Sequence, residues 1–150
     1  MADAPAIGEV HVRSWQAAYA GLIPADFLTR LSAGARAASW ARRIEEGAGQ
    51  VLVVEENGAV AGFAAFGPGQ LHALYLLPEY WGRGLGRRLH DRVVEELPGD
   101  SAILWVLATN ERAKAFYVRQ GWEDDGARRT ETIDDGRVTL EEMRYRRRLR

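Results

Sequence analysis

Three glycines at alternate positions, Gly82, Gly84 and Gly86, close the apolar run Leu74-Tyr75-Leu76-Leu77 and open an amphipathic segment at Leu85. Glycine has no Cβ to hold a ligand off the main chain, and it adopts positive φ at little steric cost. The first N–H groups of the helix that follows have no intrahelical acceptor, and its dipole favours an anion there. Strand, glycine turn and helix start therefore form a phosphate cradle, with Arg83, Arg87 and Arg88 beside it. A glycine-rich turn that binds nothing is the plain alternative.

Two common phosphate loops do not fit. A dinucleotide fold needs G-x-G-x-x-G, but the sixth position is Arg87 counted from Gly82 and Leu89 counted from Gly84. A Walker loop needs Gly-Lys-Ser/Thr, and the only lysine is Lys114, far from such glycines. The segment Trp81-Gly82-Arg83-Gly84-Leu85-Gly86 instead resembles the pyrophosphate loop of the GNAT N-acetyltransferase superfamily, (Gln/Arg)-x-x-Gly-x-(Gly/Ala). Trp81 stands where that family shows Gln or Arg. Downstream, Asn110-Glu111-Arg112-Ala113-Lys114-Ala115-Phe116-Tyr117, followed by Gly121-Trp122, resembles the second signature, Asn-x-x-Ala-x-x-Phe-Tyr followed by Gly-Phe. His11 to Tyr19 is similar to the first helix of bacterial members.

The resemblance implies an α/β fold of GNAT type: a mostly antiparallel central sheet, helices on both faces, and two strands splayed at an acetyl-CoA site. It implies acetyl-CoA as cosubstrate and a small-molecule or peptide amine as partner, without metal. The main-chain N–H groups from Arg83 to Arg87 would take the pyrophosphate. Leu74, Tyr75 and Leu76 would pair with the pantetheine amides like an added strand, and an N–H near Leu76 would face the oxyanion. Tyr117 would be the general acid for the departing thiolate, since a phenol is protonated at neutral pH. Asn110, seven residues earlier on nearly the same helical face, would bond the cofactor arm or simply cap the helix. The family often has a Glu where Gln70 stands, and an amide is no base. His72, two residues on and so on the same strand face, is the candidate base. Glu55, Glu56, Glu79 or a water chain are the alternatives. Trp15, Tyr19 and Trp40 could wall an acceptor pocket or belong to the core. Glu123, Asp124, Asp125, Asp134 and Asp135 could draw in a cationic amine or lie in solvated turns. An acyl-CoA-binding sensor or scaffold without turnover is the rival reading.

The elements that must position these groups are legible. Ile7, Val10, Ser14, Trp15 and Ala18 recur at helical spacing within residues 3–20. A short helix through Phe27 and Leu31 follows, then one capped by Ser32 and ended by Gly47 and Gly49. Gln50 to Glu56 and Ala59 to Phe66 read as strands joined by an Asn57-Gly58 turn. Gln70 to Leu77 is the strand entering the glycine loop. The next helix carries Leu85, Leu89, Val93 and Leu97, and Ser101 to Leu107 is a buried strand. A helix from Asn110 to Gly121 and a hairpin about Asp134-Asp135-Gly136 complete the chain. Family members usually begin with a strand, so the first strand is expected to be missing or supplied otherwise.

Residues 1–150 are expected to form one N-acetyltransferase domain, since that length suits a single core. A net charge of −1 gives no general pull toward nucleic acid or anionic membrane, and neither partner is expected. The basic end, Arg144 to Arg150, reads as a solvated strand tail, with a phosphate or nucleic-acid patch as the alternative. With no cysteine there is no disulfide, thiolate ligand or thiol nucleophile. A cytoplasmic location is expected, without a leader or membrane span. An uncovered sheet edge would leave room for a homodimer.

Overall fold

The computed structural model describes residues 3–47 and 49–150. Three helices come first: α1 (Ala4–Ala18), α2 (Ala25–Arg30) and α3 (Ala33–Glu45). Strands β1 (Gln50–Glu56), β2 (Ala59–Gly67) and β3 (Gln70–Leu76) follow. A 3-10 turn (Pro78–Tyr80) leads to α4 (Leu85–Glu96), β4 (Ser101–Leu107) and α5 (Glu111–Arg119). Strands β5 (Glu123–Ile133) and β6 (Val138–Arg148) close the fold. Local chemistry sets these limits. Pro5 occupies the first turn of α1, where its missing N–H would have no acceptor anyway. Ser32 Oγ accepts the Ala35 N–H at 3.1 Å and caps α3. Asn57 and Gly58, at φ 54° and 81°, make the tight β1–β2 turn.

The six strands lie in the order β1-β2-β3-β4-β6-β5. Every neighbouring pair is antiparallel except β3 and β4. On one face, Phe63 and Ala65 pack with Ile7 and Val10 of α1 and Trp40 of α3. On the other, Ala64, Leu104, Val106 and Tyr145 pack with Leu89 and Val93 of α4, and Tyr117 of α5 leans on the same cluster. Helices thus cover both faces, as expected. Among the described residues no strand precedes α1, and β1 forms an edge of the sheet. No described helix is long and apolar enough to cross a membrane. The basic end runs through β6, where Arg144 and Arg146 both reach Asp125 and Arg147 Nε donates to the Gln120 carbonyl at 2.7 Å.

Two irregularities position the site. The parallel strands β3 and β4 pair only at Gln70 and Ile103, where the Ile103 N–H donates to the Gly69 carbonyl at 2.9 Å. Beyond that point β4 pairs with β6 alone, and the sheet gapes beside Leu74 and Leu76. The second is a bulge. Ala65 faces Ala73 but Phe66 faces Leu71, which leaves His72 as an extra residue on β3. Strict alternation would have put His72 on the face of Leu74. The bulge turns it to the opposite face, with Gln70, Ala73 and Tyr75.

Candidate active site

The alternate glycines have two distinct reasons to be glycine. Gly82 and Gly84 hold φ of 76° and 81°, a left-handed conformation that costs a side-chain-bearing residue about 1–2 kcal/mol. A Cβ on either would meet nothing within 4 Å, so both face open space. Gly86 has ordinary φ but sits tightly: a Cβ there would lie 3.2 Å from Leu76 Cδ1 and 3.5 Å from Phe116 Cε1. Gly84 is the N-cap of α4, and no side chain caps that helix. The first N–H groups of α4 are therefore free for an anion. They open on a cleft of about 510 Å³ between the end of β3, α4 and α5. Leu74, Leu76, Gly82, Gly84, Gly86, Arg87 and Tyr117, all expected at the cofactor, line it. Tyr75, Leu85 and Arg83, also expected at the cofactor, have side chains that do not line the cleft. Tyr75 points through the sheet, Leu85 is core, and the Arg83 guanidinium stands 5.6 Å over the Tyr80 ring.

The strand end beside this cleft has unpaired amides. Leu77 N–H donates to the Ala61 carbonyl at 2.9 Å, while Gly62 lies opposite Leu76. The alternation of an antiparallel ladder then turns the Leu74 and Leu76 amides away from β2, toward the gap that β4 leaves. The Leu76 carbonyl is claimed there by two side chains, Ser14 Oγ at 2.8 Å and Trp81 Nε1 at 3.0 Å. The Leu74 amide group and the Leu76 N–H remain available. Uncapped helix amides for a diphosphate and strand amides for pantetheine are a donor set that fits coenzyme A.

A narrow passage of about 110 Å³ crosses the sheet at the gap, bordered by Tyr19, Tyr75, Tyr117 and Asn110. Burial pushes the Tyr117 phenol far above its ordinary range, and Tyr75 adds to the shift. Burial likewise raises Tyr75 and Tyr19. All three hydroxyls stay protonated at neutral pH. Asn110 Oδ1 accepts the Ala113 N–H at 3.1 Å and caps α5 while also lining the passage.

Past the passage lies a second pocket of about 450 Å³, between α1, α3 and the β5–β6 hairpin. Trp15, Tyr19 and Trp40 line it, Trp40 being core as well, and His72 borders both it and the passage. Partial burial lowers the His72 pKa, with Arg43 as a second cause, so its imidazole is neutral at pH 7. His11 is held neutral too. Its Nδ1 accepts the Trp40 indole N–H at 3.0 Å, and burial, then Arg36, brings its pKa down to about 4. The alternative bases lie elsewhere: Glu79 pairs with Arg13 at 2.8 Å, and Glu55 and Glu56 border neither cleft, passage nor pocket. Nor do the turn acids face this pocket. Asp124 binds Arg128, Asp125 binds Arg144, and Asp134 binds Arg30. The carboxylates that do line it are Glu131 and Glu142, with Arg129 Nε 2.8 Å from Glu142 and its guanidinium 4.4 Å over Trp105. Burial raises the Glu142 pKa. Sequence reasoning missed these residues, and Ser14, Trp81 and Arg112 with them. Alternation on β6 puts Glu142 on the face of Leu140, but only the pairing of β6 with β4 brings it to the pocket.

The chain belongs to the GNAT acetyltransferase family, whose model matches residues 14–122. It is an acyltransferase of that acetyl-CoA-dependent class. A Bacillus subtilis protein named an uncharacterized N-acetyltransferase, YuaI, is 35% identical over 120 residues, covering 72% of this chain and 68% of its own. The fold is shared with a GCN5-related N-acetyltransferase from Rhodopseudomonas palustris at TM-score 0.83 and 23% identity, covering 98% of this chain and 90% of that one. It is shared also with YncA, a putative acetyltransferase from Salmonella typhimurium solved with acetyl-CoA, at TM-score 0.70 and 24% identity, covering 99% and 90%.

Proposed function

We propose that this chain, acting as a single domain, moves the acetyl group of acetyl-CoA to a primary amine by direct attack in a ternary complex. One observation carries the reading: beside the gap between β3 and β4, Leu74, Leu76 and Tyr117 line both the cleft and the passage, and Tyr19, His72 and Tyr75 line both the passage and the second pocket. The cosubstrate supplies the activated thioester. The first N–H groups of α4 hold its diphosphate, and the Leu74 and Leu76 amides hold its pantetheine arm as an added strand. Leu76 N–H faces the carbonyl oxygen and stabilises the charge that develops there. His72, neutral and on the acceptor side, takes the amine proton directly or through one water. Tyr117, on the cofactor side, returns a proton to sulfur as the C–S bond breaks.

The test is a panel of primary amines, with release of free thiol from acetyl-CoA followed over time. At least one amine is expected to drive release at rates well above hydrolysis and to yield the N-acetyl product. Tight acetyl-CoA binding with no release on any amine would instead favour the sensor or scaffold reading, for which Gln70 in place of an acid is the motive.

A further inference from the structure

The side chain of Trp81 does two things at the junction of cleft and passage. The 3-10 turn after β3 folds the chain back, and Trp81 N–H donates to the Pro78 carbonyl at 3.1 Å. Its indole Nε1 thereby returns to the Leu76 carbonyl at 3.0 Å. Ser14, only 2% exposed on α1, brings its hydroxyl to the same oxygen at 2.8 Å. The N–H of that same peptide, from Leu77, is held by the Ala61 carbonyl of β2 at 2.9 Å. One peptide plane is thus fixed from the loop, from α1 and from β2. It is the plane that follows the last splayed residue of β3, whose own N–H faces the passage.

The ring is the second part. Arg112, from the first turn of α5, lays its guanidinium carbon 3.4 Å over the Trp81 ring centroid. Trp81 and Arg112 both border the cofactor cleft and the passage, so the stack walls the place where the two voids meet. The passage measures about 110 Å³. At about 30 Å³ per water it has room for roughly four waters, space beside the stack for a short acyl group before the larger pocket begins.

Building on the acetyl-transfer reading above, we infer that Trp81 positions and selects the acyl group. Its indole N–H, together with Ser14 Oγ, fixes the Leu76 carbonyl. Its ring, backed by Arg112, closes the passage to long acyl chains.

Two substitutions separate these actions: Trp81→Phe removes the N–H and keeps a ring, and Trp81→Ala removes both. Thiol release is measured with acetyl-, butyryl- and hexanoyl-CoA on one amine, beside thermal midpoints and calorimetric affinities. In Trp81→Phe, kcat with acetyl-CoA is expected to fall about tenfold with KM for acetyl-CoA little changed, the loss of one hydrogen bond to a buried carbonyl. Its chain-length preference should stay that of the parent. In Trp81→Ala, kcat/KM for butyryl-CoA relative to acetyl-CoA should rise about tenfold, as a wall worth a few methylenes is removed. Ser14→Ala should lower kcat without changing chain preference. The inference is overturned if Trp81→Ala keeps the parental ratio, or if every variant loses activity for all acyl-CoAs in step with its thermal midpoint. Should the parent release thiol from no acyl-CoA, the acetyl-transfer reading fails separately. The ratio of butyryl- to acetyl-CoA affinity in Trp81→Ala then decides: a rise supports the wall, and no change overturns it.

Discussion

Replacing Tyr117 by Phe isolates one oxygen atom. The ring is kept, and with it the packing on Phe116 and Trp122 at centroid distances of 5.4 and 6.2 Å. Among the described residues no protein group hydrogen-bonds the Tyr117 hydroxyl, so its removal leaves no buried partner unsatisfied. The folding cost is then below about 1 kcal/mol. The kinetic cost is larger. A positioned general acid contributes about 10²- to 10⁴-fold. The leaving group is a thiolate, a modest base with an ordinary pKa of about 8.5, so the lower end applies. We expect kcat to fall about a hundredfold, about 3 kcal/mol of transition-state stabilisation. Acetyl-CoA affinity and thermal midpoint should match the parent. Because burial holds the phenol protonated, the parent should keep this acid through alkaline pH. Single-turnover thiol release, with chemistry rate-limiting, is the assay. A kcat within twofold of the parent would refute the assignment of the proton donor.

His72→Ala should remove the acidic limb of the pH–rate profile. In the parent that limb should lie below the ordinary imidazole value, because His72 acts when neutral and its pKa is lowered; an unchanged limb in the variant would clear His72. His11, with a pKa of about 4 in the folded chain against 6.5 ordinarily, should make stability pH-dependent. The folded form resists the proton that the unfolded chain accepts, so its full contribution is present above pH 6.5 and drains away as pH falls toward 4. The gap corresponds to about 3 kcal/mol, measured as the difference in urea unfolding between the parent and His11→Gln at pH 7 and pH 4. Equal losses in the two proteins would contradict it. Gly84→Ala forces a Cβ into left-handed φ at a cost of about 1–2 kcal/mol, and coenzyme A affinity should fall about tenfold as the loop distorts; calorimetry showing parental affinity would contradict that.

Much of this architecture could be read from particular residues. Asn57-Gly58 announced its hairpin, Ser32 and Asn110 their helix starts, and Gly82 and Gly84 the left-handed turns that expose the first N–H groups of α4. These are local effects, carried by φ preferences and by side chains that bond their own backbone. The pocket proposed for the acceptor was only half legible. Trp15 and Trp40 belong to helical stripes that serve as core and wall at once. Glu142, Glu131 and Trp105 come from three strands whose adjacency depends on the order β4-β6-β5, which no local pattern encodes. His72 was chosen for sharing a face with Gln70. It does so on the acceptor side only because a bulge, invisible in the sequence, shifts the alternation between Leu71 and Ala73. Trp81 stands where the family loop has Gln or Arg, and the sequence offers no role for it. The structure gives that indole a partner five residues back and a cation on its face.

The proposed acetyl transfer requires that the main chain of the glycine loop and of the splayed strand grip the cosubstrate. Backbone amide shifts followed by two-dimensional NMR during titration with coenzyme A test it most directly. Saturable shifts are expected at residues 83–87 and at Leu74 and Leu76, with β5 undisturbed. Shifts that skip the loop while saturating elsewhere, or no shifts at millimolar coenzyme A, would contradict it.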